Sequence, residues 1–300
     1  MIEIEGLTKR FDGIKAVDEI TTTIHEGQIF GLVGSNGAGK STFLRLLSGV
    51  LKPDQGKIQI DGKPVYENTE VKKEICLLPD TAYFLPNATV RIMKNYYAMI
   101  YQNFDEKKFD ELSEKFHIDS SQKISAFSKG MKKQVSMLLG ICAKTKYLFC
   151  DETFDGLDPV MRQAVKSLFA SEVINRDFTP IIASHNLREI EDICDMVGLL
   201  HKGGILFTKD MEDMKFHMHK VQCVIANPID EERLLAELNV LHHEKRGSLL
   251  SFTARGTKEE ILERVRAKEP VFVEALPLSL EEIFISEMEV KGYDIKHFFL

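Results

Sequence analysis

Nine residues, Gly34-Ser35-Asn36-Gly37-Ala38-Gly39-Lys40-Ser41-Thr42, fit the pattern G-x-x-x-x-G-K-[ST] and constrain the chain more than any other stretch. Residues 28–33 before them are short and apolar, as a buried parallel strand requires. Residues 42–47 after them space their apolar side chains as the buried face of a helix does. Strand, glycine loop and helix in that order is the context of a phosphate-binding loop. Glycine lets successive N–H groups turn toward one point with no Cβ in the way, and a helix start adds unpaired N–H groups and partial positive charge. Lys40 is then placed to reach β- and γ-phosphates, and the Ser41 hydroxyl to hold Mg²⁺.

With 300 residues the chain is long enough for one large domain and a smaller one. Its 39 basic and 46 acidic residues leave a net charge of −7, which argues against a sequence-independent nucleic-acid binder. The five cysteines, Cys76, Cys142, Cys150, Cys194 and Cys223, form no C-x-x-C pair, so free thiols in a reducing cytosol are expected. No apolar run approaches the roughly 18–20 residues of a membrane helix. The opening Met1-Ile2-Glu3-Ile4-Glu5 is acidic and alternating, unlike a signal peptide.

Along the first 80 residues, strands and turns surround the phosphate loop. From about residue 88 the period becomes helical. Val90, Met93, Tyr97 and Ile100 or Tyr101 share a face, and Asp105 is placed to cap a second helix carrying Phe109, Leu112 and Phe116. Tyr96, Tyr97 and Tyr101 read as helix packing. A mainly helical insert is therefore expected over residues 82–145. Strands return at residues 147–150, ending in Asp151-Glu152, at 180–184, ending in His185, and at 196–200. After about residue 215 the order reads β-α-β-β-α-β. Val221, Cys223 and Ile225 alternate, a hairpin turns at Lys245-Arg246-Gly247, and Thr257-Lys258-Glu259-Glu260 forms a capping box. That is the order of a ferredoxin-like unit. A last helix starts at Ser279 and is expected to end near Gly292. The expected domains are thus 1–214 and 215–300.

Phe127-Ser128-Lys129-Gly130-Met131, then Asp151-Glu152, then Phe154-Asp155-Gly156-Leu157-Asp158-Pro159, then Ser184-His185 follow the phosphate loop in that sequence. Taken together, residues 1 to about 210 resemble the ATP-binding cassette (ABC) ATPases, of the single-cassette type found in bacterial exporters. The resemblance implies an α/β fold: a P-loop NTPase core with a parallel sheet, an N-terminal antiparallel β subdomain and the helical insert, followed here by the small ferredoxin-like α+β domain.

It also implies roles. Gly34, Ser35, Asn36, Gly37, Ala38, Gly39, Lys40, Ser41 and Thr42 would be the Walker A loop, and Phe11 would stack on adenine. Asp151 would close the Walker B strand and, with Ser41 and Asp80, bind Mg²⁺. Glu152 would be the general base and His185 would sense the γ-phosphate. Ser128 and Gly130, in the signature motif, and Asp158, in the D-loop, would meet ATP across a dimer. Asp80 stands where the family usually has a glutamine, and Lys129 and Met131 where glycine and glutamine are common. Lys129, Lys132 and Lys133 read as the solvated face of the signature helix.

The function so implied is an ATP-hydrolysing subunit of a membrane transporter, by resemblance an exporter. Its cofactors are ATP and Mg²⁺. Its partners are a second copy or a paralogous cassette and a separately encoded integral-membrane permease, which would hold it peripherally on the cytoplasmic face of the cell membrane. The rival reading is a soluble cassette ATPase acting on nucleic acid or the ribosome. One phosphate loop, no long heptad run and the negative charge favour the transporter subunit, with no nucleic-acid partner expected.

Overall fold

Alternating isoleucines near the N-terminus produce the first sheet. The computed structural model describes residues 1–290, with side chains to residue 286. In it, β1 (Ile2–Phe11) and β2 (Ile14–Ile24) pair antiparallel and bury Ile2, Ile4, Leu7, Val17, Ile20 and Ile24. β3 (Phe30–Val33) is buried throughout and leads through the glycine loop into α1 (Lys40–Leu47). β4 (Gln55–Ile60) pairs antiparallel with β1, and β5 (Lys63–Pro64) completes a sheet of order β2-β1-β4-β5. α2 (Thr69–Lys73) and β6 (Ile75–Leu78) follow.

The expected helical stretch contains α3 (Val90–Ile100), α4 (Glu106–Lys115) and α5 (Lys129–Cys142). Their apolar faces meet in a core of their own, built from Val90, Met93, Phe109, Leu112, Val135 and Leu138. Each helix starts on a side-chain cap: Thr89 for α3, Asp105 for α4 and Ser128 for α5. Such caps contribute about 1 kcal/mol each. Tyr97 packs against Tyr101 and Phe104, as its spacing predicts, whereas Tyr96 is 40% exposed.

β7 (Tyr147–Asp151), α6 (Pro159–Asn175), β8 (Thr179–Ser184), α7 (Leu187–Glu191), β9 (Met196–His201) and β10 (Gly204–Asp210) return the chain to an α/β pattern. The resulting six-stranded sheet has the order β10-β9-β3-β8-β7-β6. Strands β9, β3, β8, β7 and β6 run parallel to one another. Parallel strands buried on both faces are near-continuous apolar runs, which is why residues 147–150 and 181–183 carry almost no polar side chains. The order matters for the site. β3 lies inside the sheet next to β8, and β8 next to β7, so the glycine loop, the Asp151-Glu152 step and His185 leave the same sheet edge side by side.

The chain divides into two compact units, Met1–Thr208 and the part from Lys209 on. In the second, α8 (Met211–Phe216) precedes β11 (Met218–Val224), α9 (Pro228–Glu237), β12 (Asn239–Arg246), β13 (Leu249–Arg255), α10 (Lys258–Arg266), β14 (Phe272–Leu276) and α11 (Leu280–Val290). The strands are antiparallel in the order β12-β13-β11-β14, which with the β-α-β-β-α-β sequence is the ferredoxin-like arrangement. Its core is Val221, Cys223, Leu234, Phe252, Ile261 and Val265. The capping box at Thr257 and Glu260 is formed in both directions. The helix end expected near Gly292 lies outside the described residues. All five cysteines are buried and unpaired.

Candidate nucleotide-binding site

The loop between β3 and α1 lines a cleft of about 330 Å³ together with Ala16, Asp80 and Glu152. Asn36, Gly37, Ala38, Gly39, Lys40, Ser41 and Thr42 all contribute to its wall. Gly39 is dictated twice over. Its φ is +105°, and a Cβ there would fall 2.1 Å from the Ala16 carbonyl oxygen. Helix α1 has no side-chain cap and no acidic residue in its first turn. A helix start without such groups keeps its N–H donors and positive end for an anion. Lys40 is buried and curls back over the loop, donating to the carbonyls of Gly34 at 2.8 Å and Ser35 at 3.3 Å.

Two carboxylates face this loop from the end of β7. Ser41 Oγ donates to Asp151 Oδ1 at 3.0 Å. Burial pushes the Asp151 carboxyl above its usual range; the Ser41 hydrogen bond opposes this, and the negative charges of Glu152 and Asp80 add to it. Neighbouring residues of a strand point to opposite faces, so Asp151 and Glu152 share a cleft only if the chain turns between them. It does: Glu152 has φ +49°, the left-handed region, at a cost on the order of 1 kcal/mol. Glu152 Oε1 then lies 3.3 Å from Lys40 Nζ, and Oε2 lies 2.8 Å from His185 Nδ1. The structure thus gathers Lys40, Ser41, Asp151, Glu152 and His185 into one cluster.

The donors suit a small hard cation. Asp151 and the Ser41 hydroxyl form an all-oxygen pair, with the negative charges of Glu152 and Asp80 nearby. Mg²⁺ keeps waters and phosphate oxygens and takes only one or two protein ligands. Ser41 and Asp151 are the residues that would hold it. Asp80 lines the same cleft, yet its Oδ1 accepts from Lys133 Nζ at 3.1 Å.

Ser128, Gly130, Asp158 and Phe11 lie apart from the cleft wall. Ser128 Oγ caps α5 by accepting from Met131 N at 3.2 Å, and Asp158 caps α6 by accepting from Met161 N at 2.9 Å. Phe11 is 44% exposed, with Lys9 Nζ 5.5 Å from its ring centre. Gly130 abuts the segment after Glu152. A Cβ on it would come within 2.8 Å of the Gly156 carbonyl oxygen. We expect Gly130→Ala to lose about 1–3 kcal/mol, the usual cost of overpacking, as a lowered midpoint in urea unfolding.

With this geometry in hand, the comparisons are direct. Residues 17–155 match the ABC transporter family. Over 287 residues the chain is 32% identical to the ABC transporter ATP-binding protein YtrB of Bacillus subtilis, covering 96% of this chain and 98% of that one. The chain belongs to the ATP-binding subunits of ABC transporters. The cassette is also 30% identical over 225 residues to the lipopolysaccharide export system ATP-binding protein LptB of Haemophilus influenzae, covering 71% of this chain and 92% of that one. In fold it is similar to the ATP-binding cassette MJ0796, solved as a dimer bound to ADP and Pi. That likeness has a TM-score of 0.64 at 17% identity and covers 70% of this chain and 99% of that one.

Two site residues of the cassette escaped the sequence. Ala16 touches the loop only because β2 passes beside Gly39, and nothing in a lone alanine announces that. Lys133 does not belong to the solvated face of its helix: its side chain is 4% exposed, and it donates to the Glu152 carbonyl. The signal was its placement four residues before Met137 on the buried side of α5. Two nearby lysines, Lys129 and Lys132, hid it.

Proposed function

We propose that this chain binds ATP and Mg²⁺ at residues 34–42 and hydrolyses the ATP to drive a separate membrane permease. The observation that carries this is Glu152, held between Lys40 and His185 at the mouth of the phosphate loop. Phosphoryl transfer asks for positioning and charge neutralisation more than covalent chemistry. Lys40 and the loop N–H groups cradle the phosphates. Glu152 orients the attacking water and takes up its proton. His185 orients Glu152 through its Nδ1 and senses the γ-phosphate. Ser41 and Asp151 would hold Mg²⁺, which would neutralise phosphate charge. Phe11, exposed at the end of β1, offers its ring to the adenine.

Two cassettes face each other in this reading, as an identical or paralogous pair. Ser128 and Gly130 sit at a helix start outside their own chain's cleft, so they are free to meet the γ-phosphate held by the partner copy, with Asp158 nearby in the D-loop. The dimeric state of the MJ0796 cassette supports this pairing. Coupling to a permease is supported by the lack, among the described residues, of any helix long and apolar enough to cross a membrane. It is supported too by exposed apolar side chains on the helical region, Tyr83, Ile92, Met99 and Ile100, which suit a protein partner. Export as the direction of transport is supported by the named role of LptB.

Affinity purification of the tagged chain from detergent-solubilised membranes tests the coupling. We expect a multi-span membrane protein to co-purify, and expect it to be lost when Met99 and Ile100 are both changed to Asp. A chain recovered alone from the cytosol, with full ATPase activity and no membrane partner, would refute the transporter role.

A further inference from the structure

Lys133 lies on the first turns of α5, where Lys129 is exposed and Lys132 half-buried, yet its ammonium is buried among three oxygens. Nζ is 3.1 Å from Asp80 Oδ1, 2.5 Å from the Glu152 carbonyl oxygen and 3.7 Å from Asp155 Oδ2. These acceptors come from three segments: the turn after β6, the step after β7 and the D-loop beyond it. Lys129 takes a second hold on Asp155, at 3.0 Å.

We propose that Lys133 is a positioning residue for ATP hydrolysis, fixing the main chain of Glu152 and drawing the Asp80 carboxylate away from incoming phosphates. The inference rests on the ATPase reading of this site. Glu152 occupies a left-handed conformation that its neighbours must enforce. The Glu152 N–H donates to the Ala183 carbonyl at 2.9 Å and its carbonyl accepts from Asp155 N at 3.3 Å; Lys133 adds the shorter side-chain bond to that same carbonyl, while Lys40 and His185 contact the carboxylate. Asp80 poses a separate problem. An amide at this position would carry no charge, but a carboxylate adds a third negative group to a cleft built for an anion. A buried ammonium within hydrogen-bond reach cancels that charge. Charge compensation and peptide clamping reside in the same nitrogen, but different variants separate them.

The test uses the full-length chain with Mg²⁺, reading Kd for a fluorescent ATP analogue and kcat for ATP in parallel. In Lys133→Met we expect Kd to rise about tenfold, the equivalent of 1.4 kcal/mol, and kcat to fall at least as far. Adding Asp80→Gln to Lys133→Met should return Kd to near the native value, because the uncompensated charge is gone. It should leave kcat low, because the Lys133 bond to the Glu152 carbonyl is still missing. Lys133→Arg should keep the native Kd and lower kcat, since it preserves the charge but displaces the contact. A folded Lys133→Met with native kcat, or a Kd that Asp80→Gln leaves unchanged, overturns the proposal. Should Lys133→Met lose its cooperative melt, Lys133→Arg decides, and a native kcat there overturns it equally. A wild-type chain that binds no magnesium nucleotide would overturn the ATPase reading as well. An active wild type with an indifferent lysine sinks only the role of Lys133.

Discussion

Glu152→Gln should bind ATP with near-native affinity and turn it over about 10²–10⁴-fold more slowly, the range set by loss of a general base. The amide is nearly isosteric and keeps the contact to Lys40, so the phosphate loop stays formed. It cannot accept a proton from the attacking water. It also removes one of the negative charges beside the γ-phosphate, which favours the bound state. The variant should therefore accumulate with ATP in place, as a dimer if two copies share the nucleotide. Size-exclusion chromatography with and without Mg·ATP, beside a phosphate-release assay, reads both effects. A native hydrolysis rate in Glu152→Gln would remove Glu152 from its role as base.

Lys40→Ala should cost nearly as much, but by another route. In the structure Lys40 ties the loop to itself through Gly34 and Ser35 and faces Glu152 across the cleft. When phosphates enter, its ammonium can exchange those carbonyls for phosphate oxygens with little movement. Removing one such preorganised charge typically costs about 10²–10³ in rate, and here ground-state binding falls too. We expect no saturable binding of a fluorescent ATP analogue at concentrations that saturate the native chain. The distinction from Glu152→Gln is diagnostic: the lysine variant fails to bind, whereas the glutamine variant binds and stalls. If Lys40→Ala bound normally, the glycine loop would not be the nucleotide site.

Much of this was legible in the chain because the relevant residues are adjacent. The loop, its strand and its helix are contiguous, and apolar runs bounded by turn residues mark the buried strands at residues 147–150 and 180–184. Asp105 and the Thr257-Glu260 box act within one helical turn, so the sequence alone places them. What was not legible depends on distant segments meeting. Helix α6 gives a blurred stripe because it buries Lys166 and Glu172 beside Val165 and Phe169, the charges being met by Asp192 and by Lys108, Lys144 and Arg176. The left-handed turn at Glu152 cannot be read from a glutamate, since its cause lies in the strands around it. Lys133 looked like Lys129 and Lys132 until Asp80 and Glu152 were brought against it. The Asp80 substitution itself was visible, but its partner was not.

The burial of every thiol has a practical corollary. Loss of solvent pushes Cys76 and Cys223 up to about 11 and Cys142 to about 12, and raises Cys150 and Cys194 as well. Since the thiolate is the reactive form, the folded molecule should be inert to maleimide and to mild oxidants at neutral pH. A single cysteine engineered on the surface would then accept a spectroscopic label without deleting any native residue, so the approach of one copy to another can be followed by distance measurement in an otherwise unaltered molecule. By the same reasoning, any native thiol that does become labelled marks a molecule that has opened.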